Sequence, residues 1–208
     1  MAKYKLTYFD FHGGRGEPVR IALAIAGIPF EDDRISFDDW SSRKPGTPFG
    51  SVPVLEVDGK TLGQSNAIGR YVGKLAGLYP ADPWQAALAD ETMDAVEDVI
   101  GEVGATMFLP EDEKKAKREA LAAGPLPFAL GCLEKRLEAN GGRYFADDRL
   151  TVADLKTAML VRILRSGMFD YVPADLVDRT APKLVEHYRR VMDDPDVKAY
   201  YAKFGVDM

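Results

Sequence analysis

Val52-Pro53-Val54-Leu55-Glu56-Val57-Asp58-Gly59-Lys60-Thr61-Leu62-Gly63-Gln64-Ser65 reads as a hairpin followed by the start of a helix. Val52 to Val57 carries the residues of a strand. Asp58-Gly59 is a two-residue hairpin signal, because both positions of such a turn need a positive φ. Lys60 to Leu62 is the short return strand. Gln64-Ser65 then precedes a helix over 66–76, which Gly77 stops. Upstream, Tyr4 to Phe9 reads as a strand and His12-Gly13-Gly14-Arg15-Gly16 as a turn. Glu17-Pro18 opens a helix, with proline where its missing N–H breaks no bond. Phe30 to Ile35 is a second strand, and Ser36 to Phe49 an irregular, Pro- and Gly-punctuated excursion. Residues 1–77 thus predict β-α-β followed by β-β-α.

The texture changes at Tyr79-Pro80-Ala81-Asp82-Pro83. Beyond it helical periodicity takes over and no strand pattern appears. Helices are expected over 84–108, 111–123, 125–140 and from Thr151 to Arg165, with shorter ones near 174–178, 182–192 and 195–203. Thr151 and Asp154 form a capping signature, N-cap and third helical position. Two domains follow: 1–79, and an all-helical 84–208, with 80–83 as linker.

At 46% hydrophobic and 29% charged residues the chain is ordinary globular protein, which excludes disorder as its main state. A net charge of -6 is the wrong sign for a general nucleic-acid binder. With Cys132 the one cysteine, neither an internal disulfide nor a Cys-x-x-Cys pair can form, and Cys132 is expected to be a small core residue. His12 and His187 are too few for a His/Cys metal cluster. No apolar run approaches a membrane span. Met1-Ala2-Lys3-Tyr4 leads straight into a strand, so no secretory signal is expected and the cytoplasm is the expected compartment. Gly13-Gly14-Arg15-Gly16 lies between strand and helix, as a dinucleotide fingerprint does. Val19 stands at its third glycine, which rejects that site.

Four segments, in order along the chain, carry a resemblance: Tyr4-Lys5-Leu6-Thr7-Tyr8-Phe9; Pro48-Phe49-Gly50-Ser51-Val52-Pro53-Val54-Leu55; Leu62-Gly63-Gln64-Ser65-Asn66-Ala67-Ile68; and the Thr151–Asp154 cap. Together they resemble the cytosolic glutathione transferases, most nearly the sigma class. Two departures stand out. The turn after Phe9 is one residue longer than the family's usual form, and Ser51 stands where sigma-class relatives often carry lysine.

The resemblance implies an α/β thioredoxin-like N-terminal domain that binds glutathione, joined to an all-α helical bundle. It implies Tyr8 as donor to the glutathione thiolate and Arg15 as auxiliary charge. Glutathione is expected against Trp40, Lys44, Val52, Pro53 (cis in the family), Gln64 and Ser65, with Asp98 reaching in from the second subunit of a homodimer. Residue chemistry alone reads Ser65 as an N-cap, Lys44 as solvated and Trp40 as packed. The electrophile pocket, expected between the domains, takes Phe9, Ile100, Gly104, Met107, Lys156, Leu160 and Phe204. Glutathione is the co-substrate, with no metal required; the partners are a small hydrophobic electrophile and a second copy of the chain. The implied activity is conjugation of glutathione to hydrophobic electrophiles. Glutathione-dependent prostaglandin D isomerisation and a catalytically idle structural or carrier role are the alternatives.

Overall fold

The computed structural model describes residues 2–205. They divide into two compact units, one running to Tyr79 and taking in the segment from Pro195, the other spanning Pro80–Asp194.

In the first unit, strands β1 (Tyr4–Phe9), β2 (Phe30–Ile35), β3 (Val54–Val57) and β4 (Lys60–Leu62) form one sheet in the order β2-β1-β3-β4. β1 pairs parallel with β2, Tyr8 opposite Arg34, and antiparallel with β3, Leu6 opposite Leu55. β3 and β4 make the hairpin expected from Asp58-Gly59, both at positive φ. Helix α1 (Glu17–Ile25) makes the parallel crossover, and α3 (Ser65–Leu75) packs against it. Leu6, Ile21, Leu23, Leu55, Ile68 and Val72 form the core at 0% exposure.

The expected irregular excursion contains a short helix α2 (Trp40–Arg43) and a 3-10 turn over Lys44–Gly46. Ser36 Oγ accepts the Asp39 N–H at 3.0 Å just ahead of α2, a local side-chain turn that no apolar period announces.

The second unit is helical: α4 (Pro83–Gly104), α5 (Glu111–Ala123), α6 (Pro125–Ala139), α7 (Val152–Arg165), α8 (Leu176–Thr180) and α9 (Pro182–Met192). Asp82 caps α4, its carboxylate accepting the N–H groups of Trp84 and Gln85. α4 buries Leu88, Ala89, Thr92, Met93, Val96, Val99 and Val103 along one stripe. It packs on α7, in which every residue from Val152 to Val161 is buried. That helix is the unit's core.

The last helix, α10 (Pro195–Ala202), packs on α1 and is grouped by its contacts with the first compact unit. One expectation needs correction. Cys132 is exposed, not a core residue. α6 turns Leu126, Leu130, Leu133 and Leu137 inward, and Cys132 falls off that stripe.

Candidate active site

Tyr8, next to last in β1, is 5% exposed. The chain then turns through residues 10–16 and comes back beneath it. The backbone N–H of Arg15 donates to the Tyr8 hydroxyl at 2.9 Å. Accepting that bond occupies an oxygen lone pair and leaves the phenol's own proton as a donor. It also polarises the O–H toward donation. The close return requires glycine. A Cβ on Gly14 would lie 2.5 Å from the Tyr8 hydroxyl, and one on Gly16 would overlap the tyrosine ring. Gly14 also has φ +62, in the left-handed region that glycine adopts without steric cost. The Arg20 guanidinium lies over the Tyr8 ring, 5.7 Å from its centroid. Arg15 itself is half-buried.

The remaining candidates of the first unit lie on α2, the approach to β3, the start of α3 and the chain after α10. The Val52–Pro53 bond is cis, with Val52 half-buried and Pro53 buried at the approach to β3. Gln64 is exposed and sits at φ 69, ψ 113, an uncommon conformation for a side-chain-bearing residue. Gln64 is the N-cap of α3 and Ser65 its first helical residue, so the reading of Ser65 as N-cap is displaced by one position. An 11-residue helix therefore begins just past Gln64, and a helix N-terminus is a setting that suits a carboxylate. Trp40 is half-buried with its indole edge-on to Phe9 at 5.6 Å. Lys44 is exposed, and its aliphatic stem runs beside Gly50. Phe9 stacks on Phe37 at 4.4 Å, and Phe204 lies 4.9 Å from the His12 ring.

Within the second unit, Asp98 is exposed on α4. It lines a cavity of about 490 Å³ between α4, α5 and α6, with Glu91, Cys132 and Arg136. Ile100 and Gly104 are half-buried, and Met107 is exposed. Lys156 is buried and donates to Glu97 at 2.6 Å, while Leu160, 1% exposed, is part of the α7 core.

Sequence reasoning missed the groups that support the turn. Glu17 and Arg20 are both at 0% exposure and paired at 3.1 Å. Their signal was present: an acid and a base three apart inside a helix otherwise filled with Val, Ile, Leu and Ala. Among the described residues no group of three or more His, Cys, Asp or Glu could hold a metal. None of the described helices is long and apolar enough to cross a membrane.

A four-stranded α/β unit with this topology, carrying a glycine-cleared tyrosine near the end of its first strand, and an all-helical unit define a two-unit class of protein. Residues 4–74 match the family model described as glutathione S-transferase, N-terminal domain, and residues 97–204 the model for its C-terminal domain. The chain is 36% identical over 208 residues to glutathione S-transferase 1 of Ascaris suum, covering 98% of this chain and 97% of that one. Among solved structures it is similar to prostaglandin synthase D of Nilaparvata lugens, with TM-score 0.86 and 33% identity over 99% of this chain and 100% of that chain. It is also similar to the sigma class enzyme of Fasciola hepatica, with TM-score 0.82 and 29% identity over 100% and 98%. The chain belongs to the glutathione S-transferase family.

Proposed function

We propose that the chain is a sigma-class-like, cytoplasmic, homodimeric transferase that ionises the glutathione thiol and adds it to hydrophobic electrophiles. The observation that carries this reading is the Arg15 N–H bond to the Tyr8 hydroxyl, in a turn that two glycines clear around the ring. A free thiol has a pKa of about 8.5, and its thiolate is the nucleophile. Lowering that pKa by about two units needs about 2.7 kcal/mol of preferential thiolate stabilisation. A hydrogen bond to an anion supplies about 1.5–3 kcal/mol, so Tyr8 suffices with the Arg15 charge beside it. Ser65 and Gln64 at the start of α3 would hold the γ-glutamyl carboxylate, Val52 before Pro53 would pair its backbone with the cysteinyl residue, and Trp40 and Lys44 would meet the glycyl end. Asp98 of a second copy would meet the γ-glutamyl ammonium. Phe9, Ile100, Gly104, Met107, Lys156, Leu160 and Phe204 would receive the electrophile.

The test is Tyr8→Phe. It keeps glutathione binding and loses most turnover with a generic aryl halide. The apparent thiol pKa in the pH profile of kcat/KM moves back toward that of free glutathione. An unchanged profile removes Tyr8 from the role.

The similarity to a prostaglandin synthase favours a second reading, isomerisation of a prostaglandin endoperoxide. Ala105, at the cap of α4, stands where the resemblance places a tryptophan wall in the synthesising relatives. That small residue favours conjugation as the main activity.

A further inference from the structure

Glu17 opens α1 with its carboxylate at 0% exposure. Oε1 faces His12 Nδ1 at 3.1 Å and accepts the Tyr200 hydroxyl at 3.1 Å; Oε2 accepts Arg20 Nη1 at 3.1 Å. Arg20 donates onward, to the Phe11 carbonyl at 3.0 Å, the Phe9 carbonyl at 3.2 Å and Asp32 at 2.9 Å. Arg34 shares Asp32 at 2.7 Å and reaches Asp10 at 3.2 Å. One network therefore grips four successive residues, Phe9 to His12, by two carbonyls and two side chains. Those residues form the link from Tyr8 to the turn that returns the Arg15 N–H to its hydroxyl. A buried ion pair adds little net stability, because desolvation offsets the attraction. Holding that link in one conformation is what this one accomplishes.

The network also reaches the last helix. Tyr200 and Tyr201 lie on α10 at 3% and 1% exposure, and Phe204 follows. Burial, and then the charge of Glu17, push the Tyr200 phenol far above its ordinary value, so it stays a donor to that carboxylate. His12 lies 6.2 Å from the Tyr201 ring and 4.9 Å from that of Phe204, and Arg34 lies over the same Phe204 ring at 5.7 Å.

We propose that Glu17 is a positioning residue through which the docking of α10 sets the alignment of the catalytic turn, and with it the acidity of the bound thiol. The inference rests on the reading of Tyr8 as the thiolate donor. Tyr200 spends its hydroxyl proton on Glu17, so its route to the turn runs through that carboxylate. Without its hydroxyl, Glu17 has one donor fewer and draws more strongly on His12 and Arg20. The turn shifts with them, and the Arg15–Tyr8 bond loosens.

The experiment titrates the ultraviolet absorbance of enzyme-bound glutathione thiolate in the wild type and in Tyr200→Phe, His12→Leu and His12→Gln, with thermal melts alongside. Tyr200→Phe should raise the pKa of the bound thiol by about half a unit, so that kcat/KM falls about threefold below that pKa and returns to the wild-type value above it. KM for glutathione should not change. His12→Leu should shift the titration the same way, and His12→Gln, which keeps an N–H for Glu17, should restore most of it. A Tyr200→Phe titration that superposes on the wild type overturns the inference. So does an activity lowered by one factor at every pH, the mark of a smaller folded fraction. Equal shifts in His12→Gln and His12→Leu overturn the route through Glu17. If the wild type itself shows no bound thiolate, the reading of Tyr8 fails first and takes this inference with it.

Discussion

Gly16 has φ -84, a conformation open to any residue, so its glycine is there for space alone. A methyl group at that point meets Cβ, Cγ and Cδ1 of Tyr8, a ring with 5% exposure and little room to withdraw. Gly16→Ala should therefore push Tyr8 off its alignment with the Arg15 N–H. Overpacking of this kind costs about 1–3 kcal/mol of stability. Losing a hydrogen bond to an anion should lower kcat/KM by about 10- to 100-fold, with binding of glutathione retained. Steady-state kinetics against glutathione, with a thermal melt, checks both. In the sequence Tyr8 stands out only through the resemblance that Tyr4 to Phe9 carries; by itself it reads as a strand aromatic of the core. The clearance is not legible there, since Gly13, Gly14 and Gly16 all read alike until the returning backbone shows which of them faces the ring.

At the scale of the element, α7 shows how far a local pattern reaches. Thr151 and Asp154 form the expected capping box, with the Thr151 N–H and hydroxyl both donating to Asp154 Oδ2, at 2.8 and 2.6 Å. The other oxygen is used by distant groups: the Phe145 N–H at 3.0 Å and His187 Nε2 at 2.8 Å. Asp154 thus caps one helix, holds the loop before it and fixes a histidine of α9, at 0% exposure. Thr151→Ala should cost about 1 kcal/mol, an ordinary cap. Asp154→Ala should cost about 3 kcal/mol or more, because it strands several buried donors together. Denaturant melts of the two variants and of the double variant, which should cost less than the sum, measure the difference. The cap is visible in the sequence because its partners are three residues apart. His187, 33 positions on, carries no such mark.

Across the whole molecule, the acids of α4 separate into different roles. Glu91 pairs with Arg136 at 2.7 Å and Glu97 with Lys156 at 2.6 Å, both within the helical unit. Asp98 lies exposed on the wall of the 490 Å³ cavity. If Asp98 completes the glutathione site of its partner, Asp98→Ala should raise KM for glutathione and leave the fold intact. Mixing Tyr8→Phe with Asp98→Ala subunits supplies the decisive case. One site of a mixed dimer then lacks both groups and the other has both. Activity at low glutathione should recover after subunit exchange. An unrecovered mixture means that the site is not shared through Asp98.

The sequence by itself determined the order of the strands and the longer helices, the hairpin at Asp58-Gly59, the all-helical character beyond Pro83 and the cap of α7. Each depends on residues close together in the chain, where φ preference, hydrophobic period and capping act directly. Tertiary structure alone decided that α10 packs on α1, that Glu17 and Tyr200 meet across 183 positions, and that Cys132 faces outward. Those depend on which face of each helix finds a partner. Helical periodicity identifies a face as apolar without naming what it covers, and a buried carboxylate is matched to its donors only when the chain has closed around it.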